Sequence, residues 1–286
     1  MKHAILFTLS YHSRFSYPLT FDELHRFLVI NRLVSPNELK TELTELINQK
    51  KITEKKDFYY LPNLPDLPDI RLNRQKTSQT KLRLARRAAR LIGLLPWVKL
   101  ICVTGSLAME NSDSGDDIDL MIVTAQNRLW LVRPFAILLI SFFFKRRKPI
   151  PSSFVLRPSS FSNTLCLNLW LDSSALAMPP HRRNLRTAHE LAQMKPLINK
   201  DKTYEKMLYQ NRWAKNFLAN FWRGVSLASG EESPWRTPRR LLIILNNLMN
   251  FLNLFLFRLQ YAYMKPKITS EEVVLHSAFF HPRERY

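Results

Sequence analysis

Residues 103–123, VTGSLAMENSDSGDDIDLMIV, hold two β-prone runs joined by a polar loop. The first run ends at Gly105 and Ser106, ten residues follow, and the second run carries Asp117 and Asp119. Residues two apart in a strand share a face, so the two aspartates project together while their apolar neighbours face the core. The sequence therefore predicts two strands whose junction presents a pair of carboxylates.

A carboxylate pair of this kind favours a divalent cation. Two carboxylates a few ångström apart repel each other unless a cation lies between them, and Mg²⁺ or Mn²⁺ takes such oxygens together with water and phosphate oxygens. Gly105 offers backbone without a side chain and Ser106 offers a hydroxyl, where a triphosphate could approach. The alternative is structural: Asp117 and Asp119 are then turn and edge-strand residues, and Ser106 caps the following helix.

The combined pattern, Gly-Ser, ten residues, then Asp-x-Asp between apolar residues, resembles the signature of the DNA polymerase beta-type nucleotidyltransferase superfamily. The resemblance covers roughly residues 80–175. It implies an α/β core with a mixed sheet, two metal ions held by three carboxylates, and in-line attack of a hydroxyl on the α-phosphate of a nucleotide. By this resemblance Asp117 and Asp119 bind both metals, and Gly105 and Ser106 hold the nucleotide phosphates.

The third carboxylate that the resemblance implies belongs on a later, neighbouring strand, and the run LCLNLWLD at 165–172 is the candidate. Asn168, Trp170 and Asp172 share one face if the strand continues to its end. Asn168 is central but neutral, so it is a weak ligand and cannot act as a base. We predict that Asp172 is the third metal ligand, with Asn168 as the alternative occupant of that position.

The chain divides by pattern into three parts and predicts an α+β protein. Residues 1–66 contain three helical runs and a short hairpin, an order that resembles a winged helix-turn-helix domain, and residues 67–200 form the nucleotidyltransferase core with its mixed sheet and flanking helices. Residues 201–286 are predicted to be a C-terminal helical region. The third helical run of the first part is close to neutral in its middle, which favours domain packing over reading of DNA.

Net charge is the outlier of the composition. The chain has 43 Lys and Arg against 23 Asp and Glu, a net charge of +20, and such a surface attracts nucleic acid, nucleotide phosphates or an anionic membrane. Residues 71–90 hold eight Lys or Arg and no acid on an amphipathic helix. This helix presents either an ordinary solvated face or a face that contacts phosphates beside the catalytic cleft.

Two apolar stretches, 129–144 and 241–257, are candidates for membrane contact. Arg133 and Pro134 interrupt the first, and four asparagines form a polar stripe along the second, so we predict packed helices and no membrane span. A protein that lies on a membrane surface is the remaining alternative. The N-terminus lacks a signal-peptide pattern, and Cys102 and Cys166 lie in apolar runs as expected of reduced, buried thiols, so a cytoplasmic location is predicted.

The leading functional hypothesis is transfer of a nucleoside monophosphate from a nucleoside triphosphate to a hydroxyl acceptor, with RNA as the first choice of acceptor and Mg²⁺ or Mn²⁺ as cofactor. The alternative is a nucleotide- or nucleic-acid-binding regulator of the same fold without turnover. His189-Glu190 resembles half of a zinc protease motif but has no second histidine at the required spacing. Basic side chains that could meet phosphates, or equally be solvated, are Arg182, Arg183, Arg186 and the run Lys145 to Lys148.

Overall fold

The computed structural model describes residues 1–62, 64, 67–144, 164–225, 240–269 and 271–280, with backbone alone for 240–244. The helices are α1 (Lys2–Ser13), α2 (Phe21–Arg26), α3 (Pro36–Asn48), α4 (Leu67–Gly93), α5 (Gly105–Ala108), α6 (Leu129–Phe143), α7 (Leu185–Gln193), α8 (Thr203–Gln210), α9 (Ala219–Arg223) and α10 (Arg240–Met264). The strands are β1 (Thr53–Lys55), β2 (Phe58–Tyr60), β3 (Val98–Val103), β4 (Ile118–Thr124), β5 (Leu165–Asp172), β6 (Lys195–Asn199), β7 (Glu272–Val273) and β8 (Ser277–Phe279).

Six of these strands form a mixed sheet in the order β6-β3-β4-β5-β8-β7. Strands β4 and β5 are parallel, and the other neighbours are antiparallel. Because β3 and β4 are antiparallel, the end of β3 lies beside the start of β4, with Val103 opposite Leu120. This pairing brings the Gly-Ser element and the two aspartates to the same edge of the sheet, as predicted.

Helices cover both faces of the sheet and give the α+β architecture that the sequence predicts. Apolar residues of α4 and α6 pack on one face, and those of α7, α8 and α9 pack on the other. The alternation in β4 follows from this: Ile118, Leu120 and Ile122 belong to the first core, and Met121 and Val123 to the second. A strand that is buried on both faces reads as a continuous apolar run, so a charged residue at its start stands out.

The N-terminal part contains helices α1 to α3 and the hairpin of β1 and β2, in the predicted order. The capping box at α2 is present, since the Thr20 hydroxyl accepts a hydrogen bond from the Glu23 amide and the Glu23 carboxylate accepts one from the Thr20 amide. This part packs directly on the core: the Ile30 amide donates to the Phe217 carbonyl at 2.9 Å, and the Tyr17 hydroxyl donates to the Met109 carbonyl at 3.1 Å. The resemblance to a winged helix remains a prediction.

Helix α7 ends at Gln193, and Lys195-Pro196 then begins strand β6, where Pro196 is tolerated because β6 is the outermost strand on its side of the described sheet. One prediction about the C-terminal part was wrong. Residues 272–279, expected in a helical region, form β7 and β8, which extend the sheet beyond β5. Strands of two to five residues are too short to show a period of two in the sequence.

The basic helix α4 uses its cations in two ways. Arg71 is buried, donates to the Glu23 carboxylate at 2.8 Å and lies 3.6 Å from the centroid of the Tyr17 ring, so it joins α4 to the N-terminal part. Four other arginines of the helix are exposed: Arg83, Arg86, Arg87 and Arg90. The buried cations have structural partners, and only the exposed ones are available to a polyanion.

Helices α6 and α10 contact each other at the apolar stretches of the sequence. Three of the four predicted asparagines of α10 face α6: Asn250 and Asn246 accept hydrogen bonds from the Arg128 guanidinium, and Asn253 is buried. The fourth, Asn247, is exposed. Among the described residues, no helix combines the length and the apolar character needed to cross a membrane.

Candidate metal and nucleotide site

Gly105 lies at the turn between β3 and α5 in a conformation that favours glycine. Its φ is +64°, and a Cβ added there would lie 2.9 Å from Oδ2 of Asp119. Both facts exclude a side chain at this position without strain. The Thr104 amide also donates to the Asp119 carbonyl at 3.1 Å, so the turn is fixed against the strand that carries the aspartate.

Asp117 and Asp119 form a group with Cys166 in which one potential ligand atom from each residue lies within 4.8 Å of the others. Cys166 is opposite Asp119 in the β4–β5 register, and all three side chains are half-buried. Cys166 was expected to be a buried structural thiol, an expectation that fits Cys102 only, whose burial raises the pKa of its thiol. The parallel pairing of β4 and β5 places Cys166 at the candidate site.

These residues fit one hard divalent cation. The two carboxylates provide oxygen ligands, and water and phosphate oxygens can complete the shell of Mg²⁺ or Mn²⁺. A thiolate is a soft ligand that Mg²⁺ avoids, so Cys166 adds no strong ligand for that ion. Within the part of the chain that the structure describes, no third carboxylate belongs to this group.

Asn168 lies at the site, where it donates a hydrogen bond to Asp119. It is 4% exposed, and its Nδ2 donates to Oδ1 of Asp119 at 2.7 Å. The β4–β5 register shifts between Leu120 and Met121, where β5 has one residue more than β4, and Asn168 is that additional residue. The bulge therefore aims an amide at the Asp119 carboxylate and fixes the orientation of that carboxylate.

Asp172 does not lie with the carboxylate pair, so the prediction that it supplies the third metal ligand fails on geometry. It pairs with Thr124 at the opposite end of β4 and is fully buried. Its Oδ1 accepts from the Ser174 amide and hydroxyl at 2.9 and 2.5 Å, and its Oδ2 accepts from the Asn127 amide at 2.9 Å and lies 2.8 Å from Nδ1 of His276. A carboxylate so fully engaged organises the turns at that end of the sheet.

The physical reason for this error is the direction of β5. Parallel strands begin at the same edge, so the first residues of β5 lie beside the aspartates and its last residue lies beside Thr124. At a rise of about 3.3 Å per residue, the distance along β4 from Asp119 to Thr124 is roughly 17 Å. A metal cannot bridge that separation.

Ser106 is exposed beside Gly105, and its hydroxyl donates to Oδ2 of Asp116 at 2.9 Å. The N-cap of α5 is Thr104, so the interpretation of Ser106 as a helix cap was wrong. Asp116 also accepts from the Asp113 amide at 2.9 Å, which closes the loop before Asp117. A phosphate oxygen at Ser106 would compete with the Asp116 carboxylate for the hydroxyl.

Lys81 of α4 positions this loop, although nothing in the basic run distinguishes it from the neighbouring cations. Its side chain is buried, and its ammonium donates to the backbone carbonyls of Asp113 and Asp116. Burial lowers the pKa of Lys81, while the Asp116 and Asp113 carboxylates oppose that shift. The loop that precedes Asp117 is therefore held to α4 by a buried cation.

The weaker candidates have structural partners. His189 is buried and stacks on Tyr11 with ring centroids 4.5 Å apart, and burial lowers its pKa well below the ordinary value, as expected of a core histidine. Arg182 donates to the Glu272 carboxylate at 2.6 Å. Arg183 and Arg186 are exposed, and the run Lys145 to Lys148 lies outside the described residues.

No protein-family model, curated protein or solved structure matches the chain.

Proposed function

We propose that this chain is a metal-dependent nucleotidyltransferase, which transfers a nucleoside monophosphate from a nucleoside triphosphate to a hydroxyl acceptor and releases pyrophosphate. One observation carries the proposal: Asp117 and Asp119 lie together at the sheet edge where the backbone of Gly105 approaches Asp119 without a side chain. Glycine at φ +64° next to a carboxylate is costly for folding alone, since it loses more conformational entropy than other residues. A ligand that contacts the Gly105 backbone and the Asp119 carboxylate together accounts for the glycine and for its close approach to the carboxylate.

Each residue of the site would have a separate role. Asp117 and Asp119 would hold the cation, which when bound neutralises triphosphate charge and makes the acceptor hydroxyl more acidic. The backbone at Gly105 and the hydroxyl of Ser106 would bind phosphate oxygens. Asn168 would act as a positioning residue, because its amide holds one oxygen of Asp119 and leaves the other directed toward Gly105.

RNA is our first choice of acceptor. Exposed arginines line the solvent side of α4, where they would contact a phosphate backbone. A groove of about 460 Å³ elsewhere combines cations with aromatic rings, as single-stranded nucleic acid prefers. Its lining residues are Ala177, Arg183, Tyr209, Gln210, Arg212 and Trp213.

A second candidate function is nucleotide binding without turnover. It is favoured by the neutral Asn168 beside Asp119 and by the distant position of Asp172. With two carboxylates the site supports one cation well, whereas the two-metal arrangement of nucleotidyl transfer uses three carboxylates in the family that the motif resembles. Such a protein would sense nucleotide and signal through its N-terminal part or its basic surface.

One experiment separates the two. The purified protein is incubated with Mn²⁺ or Mg²⁺ and each α-labelled nucleoside triphosphate, with total RNA, total protein and the protein itself as acceptors. The test variant is Asp117→Ala/Asp119→Ala. The control, Glu45→Ala/Glu190→Ala, removes the same charge from exposed helix positions.

Label in one acceptor pool, lost in the test variant and kept in the control, supports the transferase and identifies the acceptor class. Nucleotide binding that depends on the aspartates, without any label, supports the silent binder. If the wild-type protein neither transfers nor binds nucleotide, both functions are wrong.

A further inference from the structure

Helix α10 attaches to the protein through amide side chains and through Leu256, Phe257 and Met264, which pack against the core. Asn253 is 1% exposed, and its side-chain carbonyl accepts hydrogen bonds from the amides of Trp130 and Leu131 at 2.9 and 3.3 Å. Gln260 accepts from the Arg133 guanidinium at 2.9 Å and donates to the Trp130 carbonyl at 2.9 Å. Asn246, Asn250, Asn253 and Gln260 therefore bind α6 and its N-cap Arg128, whereas Asn247 is exposed.

A stripe of apolar side chains on α10 faces outward. Six large side chains at intervals of three or four residues are 50% to 70% exposed: Leu245, Leu248, Phe251, Phe255, Leu259 and Tyr263. Helix α6 adds four that are 53% to 76% exposed: Phe135, Leu138, Phe142 and Phe143. We call these ten side chains the α6–α10 apolar face.

An ordinary surface helix turns its apolar stripe to the core and its polar stripe to water. Helix α10 differs, because it packs apolar side chains on the core and presents a second apolar stripe outward. Scattered exposed apolar residues are common, but a regular stripe along five helical turns indicates contact with an apolar medium or partner. The inward hydrogen bonds fix the orientation, so the helix cannot rotate to bury the stripe without leaving buried donors of α6 unsatisfied.

The charges around the face indicate which partner it takes. Arg258, Lys265 and Lys267 are exposed at or just beyond the last turns of α10, and the Lys267 ammonium lies 3.6 Å from the Tyr263 ring centroid. In the sequence, Arg236 and Arg239 precede α10, Arg240 begins it, and Lys145 to Lys148 follow α6. Aromatic and aliphatic side chains bounded by cations are typical of helices that lie in the headgroup region of anionic bilayers.

A second copy of the chain is the less favourable occupant. Each copy has a net charge of +20, so pairing two faces that are bounded by cations brings like charges together. An anionic bilayer gains from the same charges. The absence of a spanning helix among the described residues is compatible with a helix that lies on the surface.

We propose that the α6–α10 apolar face docks on the surface of an anionic lipid bilayer, with α10 in the plane of the headgroups and its Phe side chains at the boundary of the acyl chains. This docking is independent of the nucleotide site and would place that site near a membrane.

The test is flotation of the full-length protein with vesicles of phosphatidylcholine alone or mixed with phosphatidylglycerol. The test variant is Phe251→Glu/Phe255→Glu. The matched control, Phe15→Glu/Leu94→Glu, makes the same change of charge at exposed apolar residues away from the face, where Phe15 is 52% and Leu94 79% exposed. Circular dichroism and thermal unfolding check that both variants fold.

We expect the wild-type protein to float with anionic vesicles. The control should bind more weakly only to the extent that its two added negative charges repel the anionic lipid. The test variant should lose a further factor on the order of 100 in partition coefficient, because two aromatic side chains no longer enter the interface. Equal losses in the two variants would show that charge alone drives binding, which overturns the proposal. The proposal is also overturned if the wild-type protein does not bind vesicles, including the case in which it forms a dimer that the test variant dissociates.

Discussion

The replacement Gly105→Ala probes the turn on which the candidate site depends. An alanine at φ +64° is strained by about 1–2 kcal/mol relative to glycine. Its Cβ would also meet Oδ2 of Asp119 at 2.9 Å, a contact that forces the carboxylate or the turn to move. We therefore expect the free energy of unfolding to fall by about 1–3 kcal/mol and the affinity for Mn²⁺ to fall by roughly tenfold or more.

Urea unfolding measures the first effect, and Mn²⁺ titration followed by electron paramagnetic resonance measures the second. Gly224→Ala is the control, because Gly224 has a right-handed φ of −77° and its added Cβ would lie 3.8 Å from the nearest atom. That control should be neutral or slightly stabilising. If Gly105→Ala kept both stability and Mn²⁺ affinity, the approach of Gly105 to Asp119 would have no part in cation binding.

Three further predictions test the surroundings of the site. Asn168→Asp replaces the amide that donates to Asp119 at 2.7 Å by a carboxylate that repels it. The melting temperature should therefore fall without cation and rise on addition of Mn²⁺ by more than that of the wild type. An equal rise in both proteins would argue against a cation at this site. Asp172→Asn should cost about 2–4 kcal/mol of unfolding free energy by removing acceptors from a fully buried position, yet leave Mn²⁺ affinity unchanged in a titration of the folded protein. Burial lowers the pKa of His12 to about 4, below its unfolded value, so the unfolded state takes up the proton first as the pH falls. The contribution of neutral His12 to the free energy of unfolding is fully present above about pH 6.5 and should decline by up to about 3 kcal/mol as the pH falls through 4. Urea unfolding of the wild type and of His12→Phe at several pH values checks this. Parallel plots of unfolding free energy against pH for the two proteins would contradict it.

Local signals in the sequence predicted the parts of the site that lie close together in the chain. Asp117 immediately precedes β4 and Asp119 is its second residue, so extended backbone two residues apart brings their carboxylates together, and Gly105 precedes them by a single loop. The capping box of Thr20 and Glu23 is equally local. In each case the distance in space follows from backbone geometry over a few residues.

The contributions of β5 could not be predicted in this way. Whether Cys166, Asn168 or Asp172 lies beside Asp119 depends on strand direction and register, which tertiary packing sets. The bulge at Asn168 changes which residues share a face, and alternation along LCLNLWLD contains no sign of it. Similarly, the asparagine stripe of α10 was evident in the sequence, but its inward direction depends on the donors of α6.

The charge of the site bears directly on the choice between transfer and silent binding. Asp117 and Asp119 together contribute two negative charges, which balance one divalent cation, while Asn168 contributes an amide where a third carboxylate would reach Asp119. A second cation would therefore bind only when triphosphate oxygens supply the missing charge, and then weakly. If the protein is a transferase, its activity should rise with cation concentration well beyond the level that saturates nucleotide-free protein. A silent binder has no need of the second ion, so its nucleotide affinity should saturate with the first.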